Sequence, residues 1–216
     1  MKVGIIGSGI VGRVLASAFL SEKYEVMLGT RDVSKDDVVK WKNENPGGQV
    51  GTFDETARYG EIIVLATGGS VTESAIRLAG EKNFSSKVII DATNPIAAAP
   101  PENGVLKFFT SLEQSLMERL QQLVPDSKLV KAFNCVGNAF MYKPNFPGGK
   151  PTMFICGNDA DAKQTVTDIL TRFGWETEDM GGVESARAIE PLCILWCIPG
   201  MLHNRWNHAF KLLKMA

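Results

Sequence analysis

The N-terminal segment, residues 2–20, contains a glycine motif that restricts the fold more than any other feature of the chain. A short apolar run, residues 3–6, is followed by Gly7, Gly9 and Gly12 at G-x-G-x-x-G spacing, and apolar side chains then recur at helical spacing. Strand, glycine turn and helix therefore follow in the order of a dinucleotide-binding unit. Gly7 permits a sharp turn, Gly9 lets a pyrophosphate approach the backbone, and Gly12 lets the helix pack tightly on the strand.

Apolar runs and helical stretches continue to alternate beyond this unit. Such alternation is typical of a parallel sheet covered by helices on both faces. We therefore expect an α/β fold, a Rossmann-type doubly wound parallel sheet with a small C-terminal α/β extension. The predicted division is a Rossmann domain over residues 1–134 and a small C-terminal lobe over residues 135–216. The predicted strands cover residues 3–6, 24–28, 49–53, 61–66, 87–91, 128–133, 152–156 and 175–179.

Capping signals predict two helices in the second half of the chain. Thr110 and Glu113 have the spacing of a capping box, which predicts a helix over residues 110–123. Its apolar stripe is expected to begin at Leu112. Asn158 is expected to cap a further helix that reaches about residue 173.

The C-terminal segment is expected to form two closing helices, over residues 183–198 and 204–215, with a kink in the first at Pro191. Its apolar stretch, residues 192–202, has two interpretations. It either covers a planar cofactor or forms a dimer surface. We expect a homodimer through these C-terminal helices.

The composition indicates a globular protein with a full core. The 216 residues are 44% hydrophobic and 22% charged, and the formal net charge of −1 does not favour nucleic acid or an acidic membrane as a partner. The four cysteines have no paired framework, which indicates a reducing cytoplasm. The N-terminal apolar run has no basic leader, and the longest apolar run, residues 191–202, is too short to span a bilayer. We therefore expect a cytoplasmic protein without a membrane segment.

Residues after the second predicted strand favour NADP(H) over NAD(H). Thr30 and Arg31 stand where NAD-binding units usually carry Asp or Glu for the ribose 2′-hydroxyl. A carboxylate would repel a 2′-phosphate, whereas a hydroxyl and a guanidinium attract it, the guanidinium through two hydrogen bonds. Lys35 is close enough in sequence to add a third contact. Asp32 either points away or pairs with Lys35.

Five segments of the chain together resemble one known family. They are GIIGSGIVG, GTRD, DATNP, VKAFN and GGVESARAIEPLCILW, the last over residues 181–196. This combination resembles the coenzyme F420-dependent NADP oxidoreductase family over nearly the full length. The last segment also resembles the cytosolic oxidoreductase domain of STEAP-type metalloreductases. The resemblance implies an NADPH-dependent oxidoreductase that transfers a hydride between NADP(H) and a flavin or deazaflavin, with coenzyme F420, FMN or FAD as the second cofactor.

The resemblance also implies a set of residues that contact the cofactor. The second ring is expected beneath the loops after Asn134 and the helix from residue 183. Carried over by position, the pyrophosphate would be held by Gly7, Ser8, Gly9, Ile10 and Val11, and the 2′-phosphate by Thr30, Arg31 and Lys35. The path of the adenosine and ribose would be lined by Ala66, Thr67 and Gly68, and the residues near the nicotinamide would be Asn94 and Asn134.

No catalytic side chain and no metal ligand is predicted. The two histidines, His203 and His208, lie near the C-terminus, and neither belongs to a triad or metal-site pattern. Hydride transfer between two cofactors requires proximity, alignment and exclusion of water, and the cofactors carry the reaction. Glu184, Arg187 and Glu190 are the nearest candidates for a proton donor. Their spacing favours an ion pair of Arg187 with Glu184 or Glu190.

Two other functions remain open at this point. One is a small NADP-dependent imine or carbonyl reductase similar to pyrroline-carboxylate reductase. That family has a longer all-helical C-terminal domain, and little chain remains here after residue 179 for one. The other is a non-catalytic NADP-binding sensor, with which the lack of an acid–base set is compatible.

Overall fold

The computed structural model describes residues 1–215. Eight strands form two parallel sheets. The strands are β1 (Lys2–Ile6), β2 (Glu25–Gly29), β3 (Gln49–Gly51), β4 (Ile62–Leu65), β5 (Val88–Asp91), β6 (Lys128–Lys131), β7 (Thr152–Ile155) and β8 (Glu176–Asp179). The first six strands form the main sheet in the order β3-β2-β1-β4-β5-β6, and β7 pairs with β8. This is the doubly wound Rossmann order, so the predicted fold class is confirmed, and its switch point lies between β1 and β4.

Eight α-helices and three short 3₁₀ segments connect the strands within the described residues. The 3₁₀ segments are Glu81–Phe84, Asn138–Phe140 and Val183–Ser185. The helices are α1 (Ile10–Ser21), α2 (Asp36–Glu44), α3 (Phe53–Tyr59), α4 (Gly69–Ala79), α5 (Leu116–Leu123), α6 (Ala160–Arg172), α7 (Ala186–Ile189) and α8 (Leu192–His203).

The central strands are apolar on both faces, and each face forms its own core. Ile5 and Val64 join a cluster with residues of α1 and α6, whereas Ile6 and Ile63 join a second cluster with residues of α4 and α5. Successive side chains of a strand point to opposite faces, so an uninterrupted apolar run supplies both clusters. The apolar run in β4 therefore belongs to a strand buried on both sides, as its sequence predicts.

Strand β7 and helix α6 of the C-terminal part pack on the α1 side of the main sheet. An antiparallel bridge joins Lys131 to Cys156, directly after β7. Phe173 at the end of α6 belongs to the same cluster as Phe19 of α1, and their ring centroids lie 5.0 Å apart. Residues on either side of position 134 therefore share one continuous core.

The predicted start of the helix over 110–123 is wrong. The helix begins at Leu116, and its capping box is formed by Ser115 and Glu118. The same Ser/Thr-x-x-Glu spacing occurs twice in this segment, and burial decides between the two. Leu112 is 73% exposed, whereas Leu116 is fully buried. Only the second box therefore starts a helix with a buried apolar stripe.

The predicted cap of α6 is displaced by one residue. Asp159, not Asn158, accepts a hydrogen bond from the N–H of Ala162 and caps the helix. Asn158 Oδ1 accepts instead from the N–H of Val183, at 2.9 Å. A long-range contact therefore uses the side chain that local spacing assigned to the cap.

The second closing helix is also absent from the described residues. Asn204 adopts a left-handed conformation with φ of 52°, which ends α8, and residues 204–215 continue without helical structure. Tertiary hydrogen bonds hold this tail. The Trp196 indole donates to the carbonyl of His208, and the N–H of Thr152 donates to the carbonyl of Phe210, both at 2.9 Å.

The helical stretch Val183–His203 is longer than the apolar run predicted from the sequence. Pro191 stands between α7 and α8 as the cap of α8, and Pro199 is accommodated inside that helix. By length and composition alone the stretch is long and apolar enough to cross a membrane, and a third of its most apolar window is buried in the protein. Val183, Ala186 and Ile189 pack into the second core cluster, as in the core helix of a globular protein.

Candidate functional site

The glycine turn is open to solvent beside Gly9 and closely packed at Gly12. Gly7 has a φ of +120°, and its N–H donates to the carbonyl of Gly29 at 3.2 Å. A Cβ at Gly12 would lie 1.8 Å from the carbonyl oxygen of Gly7, so packing inside the protein excludes any side chain there. A Cβ at Gly9 would meet nothing within 4 Å. The space beside Gly9 is therefore open for a ligand.

The N-terminus of α1 is available to an anion. Gly9 caps the helix without a side chain, and its first turn holds no acidic residue. The unpaired N–H groups and the positive end of the helix dipole therefore remain for a phosphate. Ile10 is 56% exposed and Val11 packs against the core. Both offer this site a backbone N–H rather than a polar side chain.

A cleft of about 440 Å³ continues from the glycine turn across the ends of β1, β2 and β4 to α4. Its far wall is formed by Phe53 and by the α4 residues Val71, Ser74, Ala75 and Leu78, which the sequence did not suggest. Such an apolar wall suits a planar base. The predicted residues that line the cleft are Gly7, Ser8, Gly9, Thr30, Arg31, Lys35, Ala66, Thr67 and Gly68.

Thr30 and Arg31, at the predicted 2′-phosphate end of the cleft, differ in exposure and in hydrogen bonding. Arg31 is exposed, whereas Thr30 is 4% exposed. The Thr30 hydroxyl accepts a hydrogen bond from the Ser8 hydroxyl at 3.0 Å and donates to the carbonyl of Asp32 at 3.1 Å. Thr30 therefore joins the glycine turn to the end of β2, and the guanidinium of Arg31 is the group that faces solvent.

Asp32 does not pair with Lys35. Its carboxylate accepts hydrogen bonds from the N–H and the hydroxyl of Ser34, and these bonds lower its pKa. Lys35 lies 3.9 Å from Asp37, which also pairs with Arg13. The Asp32 carboxylate is therefore bonded within its own loop rather than to Lys35, and Asp32 also lines the cleft.

Asn94 and Asn134 meet at the ends of β5 and β6, outside the 440 Å³ cleft. Asn94 Nδ2 donates to the carbonyl of Asn134, and Asn134 Nδ2 donates to the carbonyl of Ile189, both at 2.8 Å. The side-chain oxygens of both asparagines are buried and have no hydrogen-bond partner within residues 1–215. Buried acceptors are rarely left unpaired, so these two oxygens mark a place where a ligand can donate.

Two backbone features hold this asparagine pair. Phe133, directly before Asn134, has a φ of 63°, a conformation that a bulky residue rarely adopts. Strained backbone of this kind clusters at functional sites. A Cβ at Gly69 would lie 2.1 Å from the carbonyl oxygen of Asn94, so only glycine lets α4 approach that turn.

Beneath this pair lies a buried charge cluster, which we define as Asp91, Lys131 and Glu190. Lys131 Nζ lies 2.7 Å from Asp91 Oδ2, 3.0 Å from Glu190 Oε1 and 2.9 Å from the carbonyl of Thr93. All three side chains are at most 2% exposed. Burial lowers the pKa of Lys131, but the two carboxylates outweigh burial and leave the pKa above its ordinary value.

Sequence reasoning missed this cluster. The sequence places Asp91 and Lys131 in strands and indicates no role for them, and it offers Glu190 only as a proton-donor candidate or as one of two local partners of Arg187. The available signal was a lysine and an aspartate inside strands that are otherwise apolar, because such charges are buried only when they are paired.

Arg187 pairs with Glu118 rather than with Glu184 or Glu190, so the predicted local pair is wrong. Arg187 Nε lies 3.0 Å and 3.1 Å from the two carboxylate oxygens of Glu118. Hydrogen bonds from Arg187, and then from Ser115, lower the pKa of Glu118 to about 2. The contact joins α7 to α5, which local helix spacing does not reveal.

We expect Glu118→Gln to lower the free energy of unfolding by about 2 kcal/mol at neutral pH. A pKa lowered from 4.5 to about 2 corresponds to up to about 3 kcal/mol, reduced here because Arg187 is partly exposed. Glutamine keeps the capping box, so the change removes mainly the charge. The stabilisation is complete above pH 4.5 and is lost as the pH falls through about 2.

Urea unfolding at pH 7 and at pH 2.5 measures this difference. The gap between wild type and Glu118→Gln should shrink at the lower pH. Glu113→Gln, at an exposed position just before α5, serves as the matched control and should match the wild type at both values. A gap that stays constant between pH 7 and pH 2.5 would contradict the assigned pKa.

Two other titratable side chains of the described residues are engaged in packing. His208 stacks on Trp196 with ring centroids 5.0 Å apart, and burial raises the pKa of the Cys135 thiol to about 12. Within residues 1–215, no group of three His, Cys, Asp or Glu side chains is placed to hold a metal ion.

Comparison with known proteins identifies the family. The profile of the family described as "NADP oxidoreductase coenzyme F420-dependent" matches residues 2–95. A crystal structure from Arthrobacter sp. FB24, provisionally named an F420-dependent NADP-reductase, is 30% identical. It superposes with a TM-score of 0.93, over 99% of this chain and 100% of that one.

This chain belongs to the F420-dependent NADP oxidoreductase family. The recognition made from the five sequence segments is thus confirmed. The F420-dependent NADP reductase of Methanocaldococcus jannaschii is 26% identical over 89% of both chains. The family assignment makes this protein an NADP-dependent oxidoreductase.

Other relatives share part of their length or only the fold. The rat metalloreductase STEAP3 is 29% identical over 93% of this chain, but the match spans 39% of its own length. The imine reductase of Streptomyces aurantiacus is 18% identical with a TM-score of 0.66, which shows the fold alone. The family's NADP chemistry therefore rests on the family profile and on the Arthrobacter and Methanocaldococcus proteins.

Proposed function

We propose that this protein transfers a hydride between NADP(H) and a soluble flavin or deazaflavin of the coenzyme F420 type. One observation carries the proposal. The 440 Å³ cleft and the two unpartnered amide oxygens of Asn94 and Asn134 lie along the same edge of the sheet, at the carboxyl ends of its strands. An extended dinucleotide needs an anion site at one end and hydrogen-bond acceptors for a carboxamide at the other.

The chain offers each part of NADP(H) a distinct group. Arg31 and Lys35 would hold the 2′-phosphate, and the N-terminus of α1 would hold the pyrophosphate beside Gly9. The unpaired oxygens of Asn94 and Asn134 would accept the two N–H bonds of the nicotinamide carboxamide.

The second ring would lie over the nicotinamide, beneath the loop after Asn134 and helix α8. When bound, the two cofactors supply the hydride chemistry, and the protein aligns them and excludes water. The charged side chains of the region agree with this role, because they are paired with one another. Glu190 and Lys131 are paired with each other, and Arg187 is paired with Glu118.

The experiment is to follow the absorbance of reduced nicotinamide after mixing the purified protein with NADPH and one acceptor at a time. Coenzyme F420, FMN and FAD are the three acceptors. Oxidation with F420 alone would support the deazaflavin form of the proposal, and oxidation with FMN or FAD the flavin form. NADPH binding without oxidation by any of the three would overturn hydride transfer to such rings.

We further propose a cytoplasmic homodimer joined through the C-terminal helices. The outward side of α8 exposes Leu195, Met201 and Leu202, each by more than 40%. Adjacent exposed apolar side chains are typical of a surface that a partner covers. The mass in solution, measured by light scattering, should equal two chains, and a monomer at all concentrations would contradict this assembly.

A further inference from the structure

The buried charge cluster carries a formal net charge that the fold does not cancel. Asp91 accepts hydrogen bonds from the N–H and hydroxyl of Thr93, at 2.9 Å and 2.6 Å, and from Lys131. Glu190 accepts from Lys131 and, at 3.0 Å each, from the first two N–H groups of α5. Since every partner of both carboxylates is a donor, both are ionised. Two carboxylates and one ammonium sum to −1.

Surrounding groups do not neutralise this charge at the Asp91 end. The positive end of the α5 dipole faces Glu190 and offsets part of its charge. The nearby Arg187 and Glu118 form a pair that is neutral as a whole. Within residues 1–215 the Asp91 carboxylate accepts no hydrogen bond from a helix N–H, and its partners besides Lys131 are the N–H and hydroxyl of Thr93, one residue before Asn94. The net charge of −1 is therefore only partly offset, and the cluster that carries it contacts Thr93 at the end of β5.

Backbone groups connect the buried charge cluster to Asn94 and Asn134. Lys131 holds the carbonyl of Thr93, and Asp91 holds its N–H, so the cluster fixes the turn that presents Asn94. Glu190 follows Ile189, whose carbonyl holds the side chain of Asn134. The buried cluster thus lies behind the two oxygens that are unpaired in the fold.

We propose that the buried charge cluster acts on the charge of the nicotinamide ring, binding NADP⁺ more tightly relative to NADPH than a neutral cluster would. The inference rests on the proposed function, which places the nicotinamide at Asn94 and Asn134. Hydride donation breaks a C–H bond of the reduced nicotinamide and forms an N–H bond on a flavin or a C–H bond on a deazaflavin. The hydrogen leaves with both electrons, so the nicotinamide gains one positive charge. A net negative cluster, acting through an interior of low polarity, favours that cationic form and thereby hydride donation.

Two variants separate the effect of the cluster's net charge from the effect of losing its hydrogen bonds. Asp91→Asn brings the net charge of the cluster to zero. Asp91→Asn combined with Lys131→Met removes more contacts but restores −1, and leaves Glu190 held by the N–H groups of α5. Isothermal titration gives the dissociation constants of NADP⁺ and NADPH for each protein. The ratio of the NADP⁺ constant to the NADPH constant should rise about five- to tenfold in Asp91→Asn. In the double variant it should return to within about twofold of the wild type.

A purely structural role predicts a different pattern. It would leave the ratio unchanged in Asp91→Asn, or would move the double variant further from the wild type than the single variant, and either result overturns the proposal. If Asp91→Asn does not fold, the triple variant with Lys131→Met and Glu190→Gln supplies the neutral cluster. Its ratio should then exceed that of the double variant by the same factor, and equal ratios would also overturn the proposal.

Adenosine 2′,5′-diphosphate is the control ligand, because it occupies the far end of the cleft and carries no nicotinamide. Its dissociation constant should be the same in all variants that fold. A wild-type protein that binds neither NADPH nor this ligand would overturn the proposed function itself. A wild type that binds both, with ratios that do not follow the cluster charge, would overturn only the present inference.

Discussion

Gly9→Val is expected to weaken NADPH binding by at least about a hundredfold and to leave the fold almost as stable as before. The backbone at Gly9 is extended, with φ of −67° and ψ of −178°, so any residue can adopt it. A side chain there meets no protein atom within 4 Å, and its branches would occupy the space through which the pyrophosphate approaches α1. The weaker helix cap should cost about 1 kcal/mol of stability.

Thermal unfolding and NADPH titration of three glycine variants test this expectation. Gly12→Ala should lower the stability strongly, because its Cβ would lie 1.8 Å from a backbone oxygen. Gly47→Ala, in a turn where a Cβ meets nothing within 4 Å, should affect neither measurement. If Gly9→Val bound NADPH as tightly as the wild type, the pyrophosphate could not lie beside Gly9.

Arg31→Ala is expected to weaken NADPH binding by about ten- to a hundredfold and to leave NADH binding unchanged. A hydrogen bond to a charged group contributes about 1.5–3 kcal/mol, and only NADPH carries the 2′-phosphate that would receive it. The structure increases the share of the 2′-phosphate contact that we expect from Arg31. The hydroxyl of Thr30 is already engaged by Ser8 and Asp32, so we expect Arg31 to carry more of the contact than the sequence suggested.

Fluorescence titration with both nucleotides measures the effect. Arg172→Ala, which removes an exposed arginine from the last turn of α6, provides a control of equal charge change. It should leave both affinities as they are. Equal dissociation constants of NADPH for wild type and Arg31→Ala would remove Arg31 from the 2′-phosphate site.

The sequence by itself determined the main sheet and the residues around the 440 Å³ cleft. Both depend on short-range patterns, because a buried parallel strand is a continuous apolar run and a phosphate-binding turn is a fixed spacing of glycines. Nine of the thirteen predicted site residues line one cleft for this reason. Ile10 and Val11 lie beside it on α1, and Asn94 and Asn134 lie farther along the same edge.

Only the tertiary structure decided where α5 begins, which conformation the chain adopts after α8 and how the charges of the second half pair. Two capping boxes of the same spacing compete at Thr110 and Ser115, and burial of the helix after the second box selects that box. Glu118, Lys131 and Glu190 find partners across distances of 40 or more residues in sequence, which no local pattern encodes. The physical reason is that a buried charge is stable only where the whole fold gathers enough donors or acceptors around it.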